Sequence, residues 1–254
     1  MIIIKTDKEI QSMRAGGKIH ARVLRMVAER VAPGVSTGEL DSYAEQLVRE
    51  SGAKPAFKGY QPDGQYSPFP ATLCTSINDE IVHGIPSGDR ILQDGDIISI
   101  DLGVEYEGVF LDGAITVPVG TVPEEVHKFL EDTKKSLMVG IHAAVVANTT
   151  GDIGHAIQTF VNKRYGIVKG LAGHGVGREI HEDPYIPNYG KPGQGTRLVP
   201  GMTVAIEPML VMGNPETDIL DDDWTFVTSD GSLAAHFEHT ILITDGKPEI
   251  LTVE

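Results

Sequence analysis

Four acids interrupt otherwise apolar runs: Asp101 in ISIDLGV, Asp112 in GVFLDGAI, Glu207 in TVAIEPML and Glu238 in AAHFEHTIL. Four buried carboxylates cannot all stay ionised without compensation. No Lys or Arg lies on these stretches, whereas two divalent cations would supply four positive charges. His174, in GHGVGREIHEDPYI, adds an imidazole, and His181 follows seven residues on. The glycines at 173, 175 and 177 are expected to let the backbone bend close to a ligand. An oxygen-rich set with one imidazole suits Mn(II), Fe(II) or Co(II), with Zn(II) also admissible. It does not suit a closed structural zinc site, which prefers thiolates, and there is no His-Glu-x-x-His helix. A metal pair about 3.5–4 Å apart activates water and polarises a carbonyl, which is the apparatus of hydrolysis. Glu207 or a neighbouring carboxylate would relay the proton. His83 and His181 would hydrogen-bond the substrate amide and the developing oxyanion.

The elements that position these groups are written twice. Residues 6–34 read as a helix opened by a Thr6–Glu9 capping box, and 36–52 as a second helix boxed by Ser36 and Glu39. A Pro/Gly-rich loop follows, then short strands and a hairpin over 98–116. Helix, helix, loop and strands recur from Pro123 onward. Local wording recurs too. Leu92, Gly95, Ile98, Ile100 and Asp101 fall on Leu198, Gly201, Val204, Ile206 and Glu207, and His83-Gly84 falls on His174-Gly175. The expected fold is a single α/β (α+β) catalytic domain over 1–254. Its pseudo-twofold halves, about 1–120 and 121–254, are each helix–helix–hairpin, and a central, mostly antiparallel sheet is covered by the helices. The hairpin turn is expected at Tyr106–Glu107, which would set Asp101 directly opposite Asp112, with Cβ atoms about 5 Å apart.

Composition narrows the rest. With 254 residues, 41% hydrophobic, the chain can bury a sizeable core. Its net charge of −15 disfavours sequence-independent nucleic-acid binding. The single cysteine, Cys74, excludes an internal disulfide and favours a reducing compartment. No signal peptide or membrane-spanning run is evident, so a soluble cytoplasmic protein is expected.

The motifs HGIP (83–86), IDLGVEYEGVFLD (100–112), GHGVGREIHEDPYI (173–186), AIEPM (205–209) and FEHT (237–240) resemble those of type I methionine aminopeptidases, and they come in that family's order and spacing. The resemblance implies the pita-bread fold and a metal-dependent enzyme that removes the initiator methionine from new polypeptides. It implies two divalent ions (Co, Mn, Fe, Zn or Ni) on Asp101, Asp112, His174, Glu207 and Glu238, with Asp112 and Glu238 bridging. It makes His83 and His181 substrate contacts, and it places Tyr66, Phe69, Cys74 and Trp224 in the methionine pocket. The implied partners are N-termini of nascent polypeptides, with transient ribosome association, for a monomer with no membrane or specific nucleic-acid partner.

The departures are Ile180, where an aromatic residue is often found, a longer loop over 58–69, and His236, where the family often has Gln. Blander readings stand beside these: Cys74 as a small core residue, Trp224 as plain packing, and His20, His127, His142, His155, His236 and His239 as surface or packing residues. The rival functions are an Xaa-Pro peptidase of the same fold and a metal-free binding relative. No acid of the set has been lost, which counts against the second.

Overall fold

Each half begins with a pair of helices whose ends are closed by side chains. In the computed structural model, which describes residues 2–62 and 64–254, α1 spans Asp7–Ala28 and α2 spans Thr37–Glu50. Glu9 accepts the Thr6 amide at 2.7 Å, and Glu39 accepts the Ser36 amide at 2.8 Å. The reciprocal hydroxyl contacts complete both boxes, each kind of cap contributing about 1 kcal/mol. The first half continues with β1 (Lys54–Pro55), β2 (Leu73–Ile77), β3 (Glu80–Val82), β4 (Ile97–Tyr106) and β5 (Val109–Pro118).

The second half opens with α3 (Glu124–Ala143) and α4 (Thr150–Val161). Here Asp152 accepts the Thr149 amide at 2.8 Å, a box that the shorter acid hides in the sequence. Ten strands follow: β6 (Gly166–Ile167), β7 (Gly173–Gly175), β8 (Glu182–Ile186), β9 (Thr203–Ile206), β10 (Met209–Val211), β11 (Thr217–Ile219), β12 (Phe226–Thr228), β13 (Ala234–His236), β14 (His239–Leu242) and β15 (Glu249–Ile250).

All strand pairings are antiparallel and fall into four sheets. β4 pairs with β1, β2 and β5, while β9 pairs with β14 and β7. The helices cover these strands with their apolar stripes. Met13, Val23, Leu24 and Val27 of α1 share a core with Ile98, Ile100, Leu102 and Leu111. Phe129, Leu137 and Ile141 of α3, with Ile153 and Ile157 of α4, pack around Val204 and Ile206. Each such side chain contributes about 1.5–3 kcal/mol on burial. Matching positions in the two halves do matching work. Gly95 and Gly201 both have positive φ, Leu92 and Leu198 are both fully buried, and isolated bridges join Ser36 to Ile91 and Thr149 to Arg197.

The halves meet along β5. Ala114 and Glu238 exchange backbone hydrogen bonds. The Thr240 hydroxyl accepts the Asp112 amide at 2.9 Å and donates to the Asp112 carbonyl at 2.8 Å. The Thr116 hydroxyl does the same for the amide and carbonyl of His236.

The hairpin corrects the expected register. Tyr106 pairs with Val109, so the turn lies at Glu107–Gly108, with φ of 52° and 81°. A two-residue hairpin turn of this hand needs positive φ at both central positions, and Gly108 supplies one without strain. Asp101 therefore faces Ala114, and Asp112 faces Gly103. The two acids share one side of the sheet on a diagonal, where separations are about 7–8 Å rather than directly opposed. The offset eases the repulsion without removing it.

Candidate metal centre

Asp101 comes from β4 and Asp112 from β5, while Glu207 leaves the end of β9 and Glu238 sits between β13 and β14. All four are buried. Burial raises every one of these carboxyls. Asp101 rises to about 7, and Asp112, Glu207 and Glu238 stand well above the usual range; at Asp112 and Glu238 the neighbouring carboxylates add to the effect. His174, on β7, donates Nδ1–H to the Gly175 carbonyl at 2.8 Å. That bond fixes the tautomer, leaving the Nε2 lone pair 3.4 Å from Glu207 and 3.9 Å from Asp112. Burial lowers its pKa to about 3, so the ring is a neutral donor.

These side chains form overlapping trios. Donor atoms of Asp101, Asp112 and Glu238 lie within 4.8 Å of one another, and so do those of His174, Glu207 and Glu238. A third trio joins Asp112, His174 and His181. Asp101 Oδ1 and Glu238 Oε1 are buried with no hydrogen-bond partner. Unpartnered carboxylate oxygens on converging strands, beside an imidazole held as a lone-pair donor, fit a hard-to-borderline divalent cation.

A cavity of about 380 Å³ opens above the acids. His83, His181, Phe69, Cys74 and Trp224 line it, with Phe57 and Tyr60. Phe69 meets Trp224 edge-on at 5.1 Å between ring centres. Ile180 is buried in the same apolar cluster. His83 follows β3 with φ of 62° and has its ring against Trp224 and Phe226. Burial lowers the pKa of both His83 and His181 to about 4. His181 Nδ1 lies 2.9 Å from the Tyr60 hydroxyl.

Three expectations need correction. Tyr66 is 88% exposed and lies outside the cavity. The long loop carries two tyrosines, and it is Tyr60, next to the loop's anchoring bonds to Phe69, that turns inward. His236 is neither a surface residue nor inert packing. It is 1% exposed, with Nε2 3.3 Å from Glu207 and 3.8 Å from Glu238. Its place two residues before Glu238 was the available signal, since strand residues at i and i+2 share a face. Finally, Gly173 and Gly175 answer to strand crowding rather than to a ligand. A Cβ at Gly173 would stand 2.3 Å from the Ala205 carbonyl oxygen, and one at Gly175 2.1 Å from that of Asp183.

A duplicated α/β scaffold with antiparallel sheets, holding a carboxylate–imidazole centre under an apolar cavity, defines a metallopeptidase of the pita-bread type. The chain belongs to metallopeptidase family M24, which it matches over residues 11–245. It is 48% identical to the methionine aminopeptidase of Clostridium acetobutylicum over 254 residues, covering 100% of this chain and 99% of that one. It superposes on the crystal structure of the Thermotoga maritima methionine aminopeptidase with a TM-score of 0.95 and 42% identity, each chain fully covered. The prolidase of Pyrococcus horikoshii shares the fold at a TM-score of 0.77 and 25% identity, this chain covering 65% of it.

Proposed function

We propose that this chain is a methionine aminopeptidase, hydrolysing the bond after the initiator methionine of new polypeptides with two divalent cations held by Asp101, Asp112, His174, Glu207 and Glu238. The observation that carries this reading is the overlap of two donor trios on Glu238 beneath a cavity walled by sulfur and aromatic groups. When bound, the cations supply Lewis acidity and lower the pKa of water.

The chain's own residues do the rest. Phe57, Phe69, Cys74 and Trp224 offer a soft, apolar lining that suits a thioether side chain. His181 has Nδ1 engaged by Tyr60 and keeps Nε2 for the substrate. His83 has one ring nitrogen turned to the Trp224 backbone and keeps the other. Both rings are neutral near pH 7 and carry one N–H each. His181 accepts the Tyr60 hydroxyl at Nδ1 and can donate Nε2–H toward the amide carbonyl or its developing oxyanion. His83, whose N–H is taken by the Trp224 carbonyl, presents a lone pair that can accept an N–H of the substrate. Glu207, at the end of β9 among the proposed ligands, is the carboxylate suited to accept a proton and return it to the departing amine. The single thiol suits a reducing compartment.

The test is release of methionine from Met-Ala-Ser and of the first residue from an Xaa-Pro peptide, by the parent and Asp112→Asn, with and without chelator. Cleavage of the methionyl peptide alone is expected, lost in both the chelated and substituted samples. Preferential cleavage of the Xaa-Pro peptide would reassign the enzyme.

A further inference from the structure

Lys5 is the one buried lysine or arginine among the described residues. Its ammonium meets Glu182 at 2.5 Å, with 1% and 2% of the two side chains exposed. A buried ion pair adds little net stability, yet leaving one member alone is costly. Its value therefore lies in what it fixes. Glu182 directly follows His181. Its Oε1 accepts the amides of Arg178 at 2.5 Å and Glu179 at 3.1 Å, while Oε2 takes Lys5. One carboxylate thus closes the 177–181 loop on itself and fastens it to the N-terminal segment.

The other end of the brace reaches the metal strands. The Lys5 amide donates to the Gly201 carbonyl at 2.9 Å, just ahead of β9, the strand that leads into Glu207. The Gly177 carbonyl accepts the amide of Phe110, two residues before Asp112, at 2.7 Å. The loop crosses the aliphatic stem of Lys5 so closely that a Cβ at Gly177 would stand 2.2 Å from Lys5 Cε. Arg178 adds a second tie, to Glu9 at 2.6 Å, and Glu9 is the acid of the capping box at the start of α1.

We infer that Lys5 and Glu182 are a positioning pair for His181: the N-terminal segment sets the loop that presents this imidazole to the substrate. The inference rests on the proposed function for the substrate contact, and on the contacts above for the rest.

Lys5→Met keeps the stem and removes the charge. A small displacement of a substrate-contacting group costs large factors in rate, so kcat/KM for Met-Ala-Ser is expected to fall at least about tenfold. Hydrogen exchange at the Arg178 and Glu179 amides should quicken by at least about tenfold. Mn(II) affinity by calorimetry should change less than about threefold, because no proposed ligand is touched. In a His181→Ala background the same substitution should cost less than about twofold, since its effect passes through that ring. Parental kcat/KM and exchange in Lys5→Met, or a loss that multiplies that of His181→Ala, would overturn the pair's role. Should Lys5→Met not fold, Glu182→Gln is read the same way. A parent inactive on Met-Ala-Ser would count against the proposed function, and the exchange rates would still decide the brace.

Discussion

His181 depends on a neighbour that the loop brings to it. The Tyr60 hydroxyl sits 2.9 Å from its Nδ1, while Tyr66, six residues on, is in solvent. A single hydrogen bond is worth about 0.5–1.5 kcal/mol, so Tyr60→Phe should lower kcat/KM for a methionyl peptide about three- to tenfold. Tyr66→Phe should leave it unchanged, and equal effects from the two would return Tyr66 to the site. His20 lies behind Asp112. It donates Nε2–H to the Leu102 carbonyl at 2.7 Å and packs against Gly113. Burial holds its pKa at about 4, against 6.5 when unfolded. As pH falls below 6.5 the unfolded chain takes up a proton that the folded chain refuses, so stability drops until about pH 4 and then levels. The parent should therefore lose about 2.5 kcal/mol between pH 7 and 4.5 that His20→Gln does not, read as the change in their difference by urea unfolding. Parallel pH profiles would show that His20 does not carry the shift.

At the scale of elements, the strand junction does what no single ligand can. Thr240 bonds both backbone groups of Asp112 and so sets the first half's acid against the second half's strand. Thr240→Val leaves both groups buried and unpaired, which should cost about 1–3 kcal/mol in thermal or urea unfolding. It should also weaken cation binding, and unchanged Mn(II) affinity would mean that the junction does not position Asp112. The helices were legible from their capping boxes and apolar spacing, and Thr6, Glu9, Ser36 and Glu39 do what their types suggest. The hairpin was legible only to within one residue. Equal spacing about Tyr106–Glu107 looked symmetrical, but the left-handed geometry of the turn assigns it to Glu107–Gly108. The acids were legible because a charge inside an apolar strand is conspicuous. His236 was less legible, because its one mark was its place two residues before Glu238, and an imidazole in a strand is otherwise ordinary. Tyr60 was hidden for another reason: a Pro/Gly-rich loop has no periodicity from which to read which tyrosine faces inward.

Across the whole molecule, the duplication turns four unfavourable carboxylates into one centre. It was legible as recurring words, since Gly95 and Gly201, or Leu92 and Leu198, meet the same local demands in each half. How the halves join was not, because hydrogen bonds such as Ala114 with Glu238 cross more than a hundred residues and leave no local mark. The raised carboxyls have a direct consequence. With Asp101 raised to about 7 and its neighbours also raised by burial, the chelated chain holds protons that an entering cation must displace. Apparent Mn(II) affinity should rise with pH, and calorimetry in two buffers of different ionisation enthalpy should show proton release; proton uptake would contradict the assignment. The most direct test of the centre as a joint product of both halves is calorimetric titration of the parent, Asp112→Asn and Glu238→Gln with Mn(II). Two bound ions per chain are expected in the parent, with either substitution, one in each half, weakening both by at least about tenfold. Glu238→Gln binding two ions with parental affinity would contradict it.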